Sequence, residues 1–230
     1  MAPDPEQPVG LAVSGWDPPS RPTLSRIEGR YCTLERLDPE RHTKLLFEAF
    51  QLDPSGSDWT YLPYGPFEHS VSFHDWATKI AADSDPLFYT ILDGTAQPTG
   101  MASFLRINPM MGSIEVGHIH FAQSLQRTQA ATEVMYLMMR HAFDDLGYRR
   151  YEWKCDDLHV KSRAAAIRLG FTYEGTHRQA RIYKGRNRDT AWYSIIDTEW
   201  PRIRDAFEAW LDPSNFDNSG VQKTSLAERK

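Results

Sequence analysis

Residues 114–140 read IEVGHIHFAQSLQRTQAATEVMYLMMR, and their reading decides the fold. Apolar and polar residues alternate over 113–121, which predicts a strand. On that pattern Ile114, Val116, His118 and His120 share one face, with Glu115, Gly117, Ile119 and Phe121 on the other. A short polar loop follows. The spacing of Ala131, Val134, Met135, Met138, Ala142 and Phe143 then predicts a helix over 128–146 with a buried stripe, stopped by Gly147. The methionines read as core filling. The first turn of such a helix has N–H groups without partners, which suits an anion. Residues 149–155, RRYEWKC, predict the next strand. A strand–helix–strand crossover makes those two strands parallel neighbours.

Upstream, residues 31–37 predict a strand, and Asp38-Pro39 starts a helix running to about residue 51. Residues 53–67, DPSGSDWTYLPYGPF, set Trp59, Tyr61, Tyr64 and Phe67 among prolines and glycines. A loop so aromatic either lines a pocket or packs as a lid. A helix over 70–82, then strands over 87–92 and 99–107, complete an antiparallel meander into the strand at 113. Downstream come a helix over 160–169 closed by Gly170, a return to the sheet at 171–174, and a hairpin of 180–184 and 191–198 around GRNRD. Residues 201–211 predict a further C-terminal helix. The expected fold is α/β (α+β): a mixed sheet of about seven strands, mostly antiparallel, with one parallel pair and flanking helices. It forms a single domain over 26–211. Residues 1–25, with six prolines, predict an extended arm with Val9, Leu11, Val13 and Trp16 as handholds, and residues 212–230 a mobile tail.

A net charge of -5 and a pI near 5.9 argue against a surface built for nucleic acid. No apolar run approaches the ~18 residues that cross a membrane, and MAPDPEQPVG has neither part of a secretory signal. The expectation is a cytoplasmic protein, monomer or homodimer. Cys32 and Cys155 have no metal-ligand spacing and read as buried, reduced thiols, so no metal is expected.

Three pieces carry a resemblance. The segment Gln126-Arg127-Thr128-Gln129-Ala130-Ala131-Thr132-Glu133 resembles a phosphate loop of the form Gln/Arg-x-x-Gly-x-Gly/Ala, with Gln129 where glycine is usual. The segment 162–171, SRAAAIRLGF, resembles Asn-x-x-Ser…Leu-Gly-Phe, with His159 at the asparagine position. The strand and helix order matches as well. Together these resemble the GNAT superfamily of acetyl-CoA-dependent N-acetyltransferases, and within it the ribosomal-protein N-terminal acetyltransferase-type branch, over about residues 28–200. The resemblance implies acetyl-CoA as cosubstrate. It places His118, Ile119, His120, Phe121, Gln126, Arg127, Gln129, Ala130, Ala131, Thr132, His159 and Ser162 along it. The acceptor is then a primary amine of a small molecule or a protein α-amine.

Direct transfer needs a neutral amine, hence a base. Glu115 is the candidate, against the readings of a salt bridge or a buried structural carboxylate, and His118 and His120 are alternatives. The tyrosine that many relatives use as acid is Ala166 here, and the resemblance moves that role to Ser162. Trp59, Tyr61, Tyr64 and Glu115 are the candidate acceptor contacts. Basic residues at 178–188 form either a solvated turn or a contact for the cosubstrate's 3′-phosphate or an acidic partner. No cysteine is positioned for an acyl-enzyme. The competing readings are a non-catalytic acyl-CoA sensor and a docking scaffold using the aromatic loop.

Overall fold

A computed structural model describes residues 7–229; the first six residues of the expected arm lie outside it. The elements are β1 (Arg26–Glu28), β2 (Thr33–Arg36), α1 (Pro39–Phe50), α2 (Ser70–Ala81), β3 (Leu87–Leu92), β4 (Pro98–Asn108), β5 (Ser113–Phe121), α3 (Gln129–Arg140), β6 (Arg150–Asp156), α4 (Val160–Leu169), β7 (Thr172–Tyr183), β8 (Arg186–Ile196) and α5 (Trp200–Leu211). One sheet runs in the order β1-β2-β3-β4-β5-β6-β8-β7. Every pairing is antiparallel except β5–β6. The sheet has eight strands rather than about seven. Short β1 is added, and the two segments read as separate at 171–174 and 180–184 are one strand, β7. Its turn is Lys184-Gly185, both at positive φ, earlier than the GRNRD expected.

Local chemistry explains the helices. Asp38 accepts the N–H groups of Glu40 and Arg41 at the start of α1, with Pro39 in the first turn. Thr128 does the same for Ala131 at the start of α3. The α-helix stops at Arg140 and finishes as a π-helical turn, His141–Asp145, before Gly147 at φ 79. Two apolar layers flank the sheet. One joins Phe50, Trp59, Phe73, Phe88 and Met101 under α1 and α2. The larger joins Leu34, Phe104, Ile114, Val116, Val134, Met138, Tyr151 and Phe207 under α3 and α5.

Glu133 of α3 is buried and ties this larger layer together. Its carboxylate accepts the N–H groups of Arg30, Tyr31 and Cys32 at 2.8, 2.6 and 2.9 Å, anchoring the approach to β2. Both cysteines are free and buried. The arm touches the domain late: Val9, Leu11 and Val13 are exposed, whereas Trp16 donates to Met110 O and packs against Gly112. Arg21 donates to Ile107 O and Ser84 O. Past Leu211 the chain folds back on α5, with buried Asn215 bonded to Trp210 O and to Thr224 O and N–H, and with Leu226 buried.

The strict alternation expected of β5 fails. Met101 pairs with His120 and Ser103 with Gly117, so β5 holds one extra residue against Ala102. The bulge falls at His118, whose φ is +51. Ile114 and Val116 face α3. Beyond the bulge Ile119 and Phe121 take that side, while His118 and His120 turn to the α1/α2 side, where Glu115 also lies. The predicted grouping of Ile114 and Val116 with the two histidines is therefore corrected.

Candidate active site

The parallel pair positions the site. β5 and β6 are paired only from Ser113–Arg150 to Val116–Trp153. Beyond that point β6 stays with β8 as far as Asp156, and β5 stays with β4. The strands part, leaving one edge of each unpaired. Ala122 N–H bonds back to Thr99 O at 2.9 Å, which turns the amide of neighbouring Phe121 to the opposite edge, toward the opening.

A cavity of about 380 Å³ lies where the strands part. Glu115, Gly117, His118, Ile119, His159 and Ser162 line it, with Tyr61 from the aromatic loop. Glu115 is 5% exposed, and its carboxylate lies 2.8 Å from Lys154 Nζ and 3.2 Å from Arg106 Nε. Burial raises its carboxyl above the ordinary range, against the pull of Lys154 and then Arg106. A Cβ at Gly117 would meet Leu105 Cδ2 at 3.0 Å and lie in ordinary contact with Glu115 Oε1 at 3.7 Å. Arg106 sits on a second irregularity, at φ +47, where Asp85 accepts its N–H and that of Ile107.

Ser162 Oγ accepts the indole N–H of Trp153 at 3.0 Å. That leaves the serine proton available to another acceptor. Cys155 lines the same cavity, which the sequence did not foresee; burial pushes its thiol up and keeps it protonated. His159 stacks on Tyr61 at 4.2 Å, and Tyr61 OH donates to Leu158 O. Tyr64 OH and His118 Nδ1 are 3.2 Å apart. Burial first, then Arg181, Arg188 and Arg106, lower His118 to about 4, so it is neutral at pH 7.

Tyr64, Trp59 and His120 do not line the cavity, and Tyr64 packs on Trp76 at 4.2 Å. Trp59 is buried among Phe50, Phe67 and Phe73, not in the cavity wall. His120 stacks on Phe50 at 4.0 Å and meets Trp59 edge-on, also in that layer, and burial lowers it to about 4. Lys154, Arg106, Asp156 and Trp192 are among the cavity residues that were not predicted for the site. The Glu-x-Lys spacing of Glu152 and Lys154 was the available signal, since it puts both on one face of β6.

The loop before α3 lies off the cavity. Gln126 Nε2 donates to Phe121 O and Asp58 Oδ2, holding the loop against β5 and the aromatic segment. Arg127 is at φ +63. Gln129 and Ala130 begin α3, where helix geometry leaves their N–H groups without carbonyl partners; Ala131 N–H is taken by Thr128. Ala130 and Ala131 pack toward the core, and Thr132 Oγ1 accepts from Arg168.

Parallel strands parting over a cavity that holds a carboxylate and a hydroxyl, beside a helix start suited to an anion, describe a group-transfer enzyme. The profile of the family described as "Acetyltransferase (GNAT) domain" matches residues 32–172, and the chain belongs to that family, the acetyltransferases. It is similar to a GCN5-related N-acetyltransferase of Brucella melitensis, with 42% identity over 94% of this chain and 98% of that one and a TM-score of 0.92. A probable GNAT-family acetyltransferase of Chromobacterium violaceum is 40% identical over 86% and 99% of the two chains, with a TM-score of 0.79. The chain is also 22% identical, over 74% of its length and 93% of the other, to a Bacillus subtilis protein named "Putative ribosomal N-acetyltransferase YdaF", in keeping with the branch resemblance. Among the described residues no helix is long and apolar enough to cross a membrane.

Proposed function

We propose that the protein transfers an acetyl group from acetyl-CoA directly to a primary amine. The observation that carries the reading is the parting of β5 and β6 after Val116, with Glu115 and Ser162 on the walls of one cavity. The residues suit the cosubstrate. The outward edge of Ile119 and Phe121 can bond pantetheine amides, and the start of α3 at Gln129 and Ala130 can hold the pyrophosphate. When bound, acetyl-CoA supplies a thioester carbonyl carbon as electrophile. The acceptor nitrogen attacks it, a C–N bond forms, and the C–S bond breaks. Glu115 takes the proton lost by the amine, directly or through water. Ser162, bonded through its oxygen to Trp153, gives its own proton to the departing thiolate and regains one from solvent. An outward N–H near the His118 bulge stabilises the oxyanion. The products are the acetamide and coenzyme A.

The test is calorimetry with acetyl-CoA, followed by thiol release over an amine panel covering small amines and peptide α-amines. Binding with turnover supports the reading. No binding at millimolar acetyl-CoA sinks it, and binding without turnover on any amine favours a sensor.

A further inference from the structure

Two arginines are left over once every carboxylate at the cavity is assigned. Glu115 is shared by Lys154 and Arg106. Asp58 accepts from Gln126, and Asp156 accepts from Tyr183 OH and Leu158 N–H. Asp189, the acid nearest in sequence to Arg188, is taken by Gln179 N–H and Asn187 Nδ2. Among the described residues, neither Arg181 nor Arg188 has a carboxylate at ion-pair distance, yet both line the cavity. They are also register partners across β7 and β8. Like charges directly opposite on an antiparallel pair are destabilising, and no carboxylate among the described residues lies at ion-pair distance to offset this one. Arg188 lies over the Tyr183 ring at 5.5 Å, and its Nε is buried without a hydrogen-bond partner among the described residues. A buried guanidinium N–H without an acceptor costs stability unless a ligand completes it.

The place of the pair separates two possible anions. Arg181 and Arg188 share the cavity of Glu115, Gly117 and Ser162, which none of residues 126–132 lines. They therefore stand where the transfer takes place, away from the helix start suited to pyrophosphate. We propose that the acceptor carries an anionic group, a carboxylate or a phosphate, beside its amine, and that Arg181 and Arg188 hold that group. The inference rests on the transfer reading above and names its substrate class. A planar guanidinium pair suits either anion through paired N–H donors.

The experiment uses the full chain, acetyl-CoA and matched acceptors: β-alanine against β-alaninamide, phosphoethanolamine against ethanolamine, and Ala-Asp-Asp against Ala-Asn-Asn. The acidic member of at least one pair should be favoured in kcat/KM by roughly tenfold or more, as one charge-assisted contact implies. Whichever pair shows the preference distinguishes a free carboxylate, a phosphate and an acidic peptide. Arg181→Gln with Arg188→Gln should abolish the preference by raising KM for the acidic member, and Arg188→Lys should keep part of it. Equal kcat/KM within every pair, or a preference that survives the double substitution, overturns the proposal. So does a double variant that binds acetyl-CoA more weakly but the 3′-dephospho form unchanged, because the arginines then serve the cosubstrate. If no amine turns over, the transfer reading fails by itself. The same pairs are then compared by calorimetry on the coenzyme A-loaded protein. Tighter binding of an acidic member sustains the anion site, and equal or no binding ends it. A melting temperature no lower than that of the wild type checks the fold of the variants.

Discussion

Lys154 governs how Glu115 titrates. Its ammonium lies 2.8 Å from Glu115, 2.7 Å from Glu152 and 3.5 Å over the Trp192 ring. Burial raises the Glu115 carboxyl and Lys154 is the largest force opposing it. Lys154→Met keeps most of the stem and removes the charge. A cation at this range holds a carboxylate down by about 1–3 pH units, which is about 1.4–4 kcal/mol. Coulomb's law over that distance at an effective dielectric of about 20 gives about 6 kcal/mol, an upper bound because side chains relax. Arg106 also stays beside the carboxylate. The sign follows from the mechanism. The base is the carboxylate, so a raised pKa leaves less of it at each acidic pH. The acid limb of kcat/KM against pH should therefore move up by one unit or more. The assay is thiol release at saturating acetyl-CoA across the acid and neutral range. A folded variant with unchanged acetyl-CoA affinity and an unmoved acid limb would show that Glu115 is not the titrating base.

Ser162→Ala should lower kcat by about a hundredfold with little change in acetyl-CoA affinity; an unchanged kcat removes Ser162 from the proton path. Glu133→Ala strands three backbone N–H groups and should cost about 3 kcal/mol or more in urea unfolding, with a loss under ~1 kcal/mol counting against the anchoring role. His120, at about 4 in the folded chain against an ordinary 6.5, takes a proton in the unfolded chain first. Its contribution is complete above about pH 6.5 and is lost as pH falls toward 4, up to about 3 kcal/mol. His120→Asn should therefore flatten the acid side of the stability curve relative to the wild type, and parallel curves would contradict the assignment.

Periodicity made the elements around residues 114–140 legible, because a two-residue period, a capped 3.6-residue stripe and a second strand admit one parallel crossover. It could not reveal the bulge. One inserted residue reverses every later side chain, and the backbone that accommodates it is a non-glycine at positive φ. Gly117, beside His118, was the one hint, since a strand glycine often marks such a place. The aromatic loop divided in the same way. Tyr61 reaches the cavity and Trp59 fills the layer beneath it, a distinction set by the packing of α1 and α2 and carried by no local pattern. Lys154 was legible only as an outward residue of a strand, because the cavity that buries it exists only after β5 and β6 part.

The bulge and the parting belong together. β6 is paired with β8 along its whole length, and β5 is paired with β4 to its end. An extra residue on β5 alone bends and twists that strand relative to its neighbour on the other side. The last parallel pair, Val116 with Trp153, lies just before the bulge. From there the same distortion does two things. It frees the edge of Ile119 and Phe121, and it turns His118 to the side where Glu115 stands. An unbulged β5 would keep pairing with β6, sending His118 to the α3 face and closing the space in front of Gly117. Cosubstrate edge and acceptor cavity thus depend on a single backbone irregularity. Substitutions that restore regular pairing there should impair cosubstrate binding and acceptor entry together, whereas Ser162→Ala should lower kcat with little change in cosubstrate affinity.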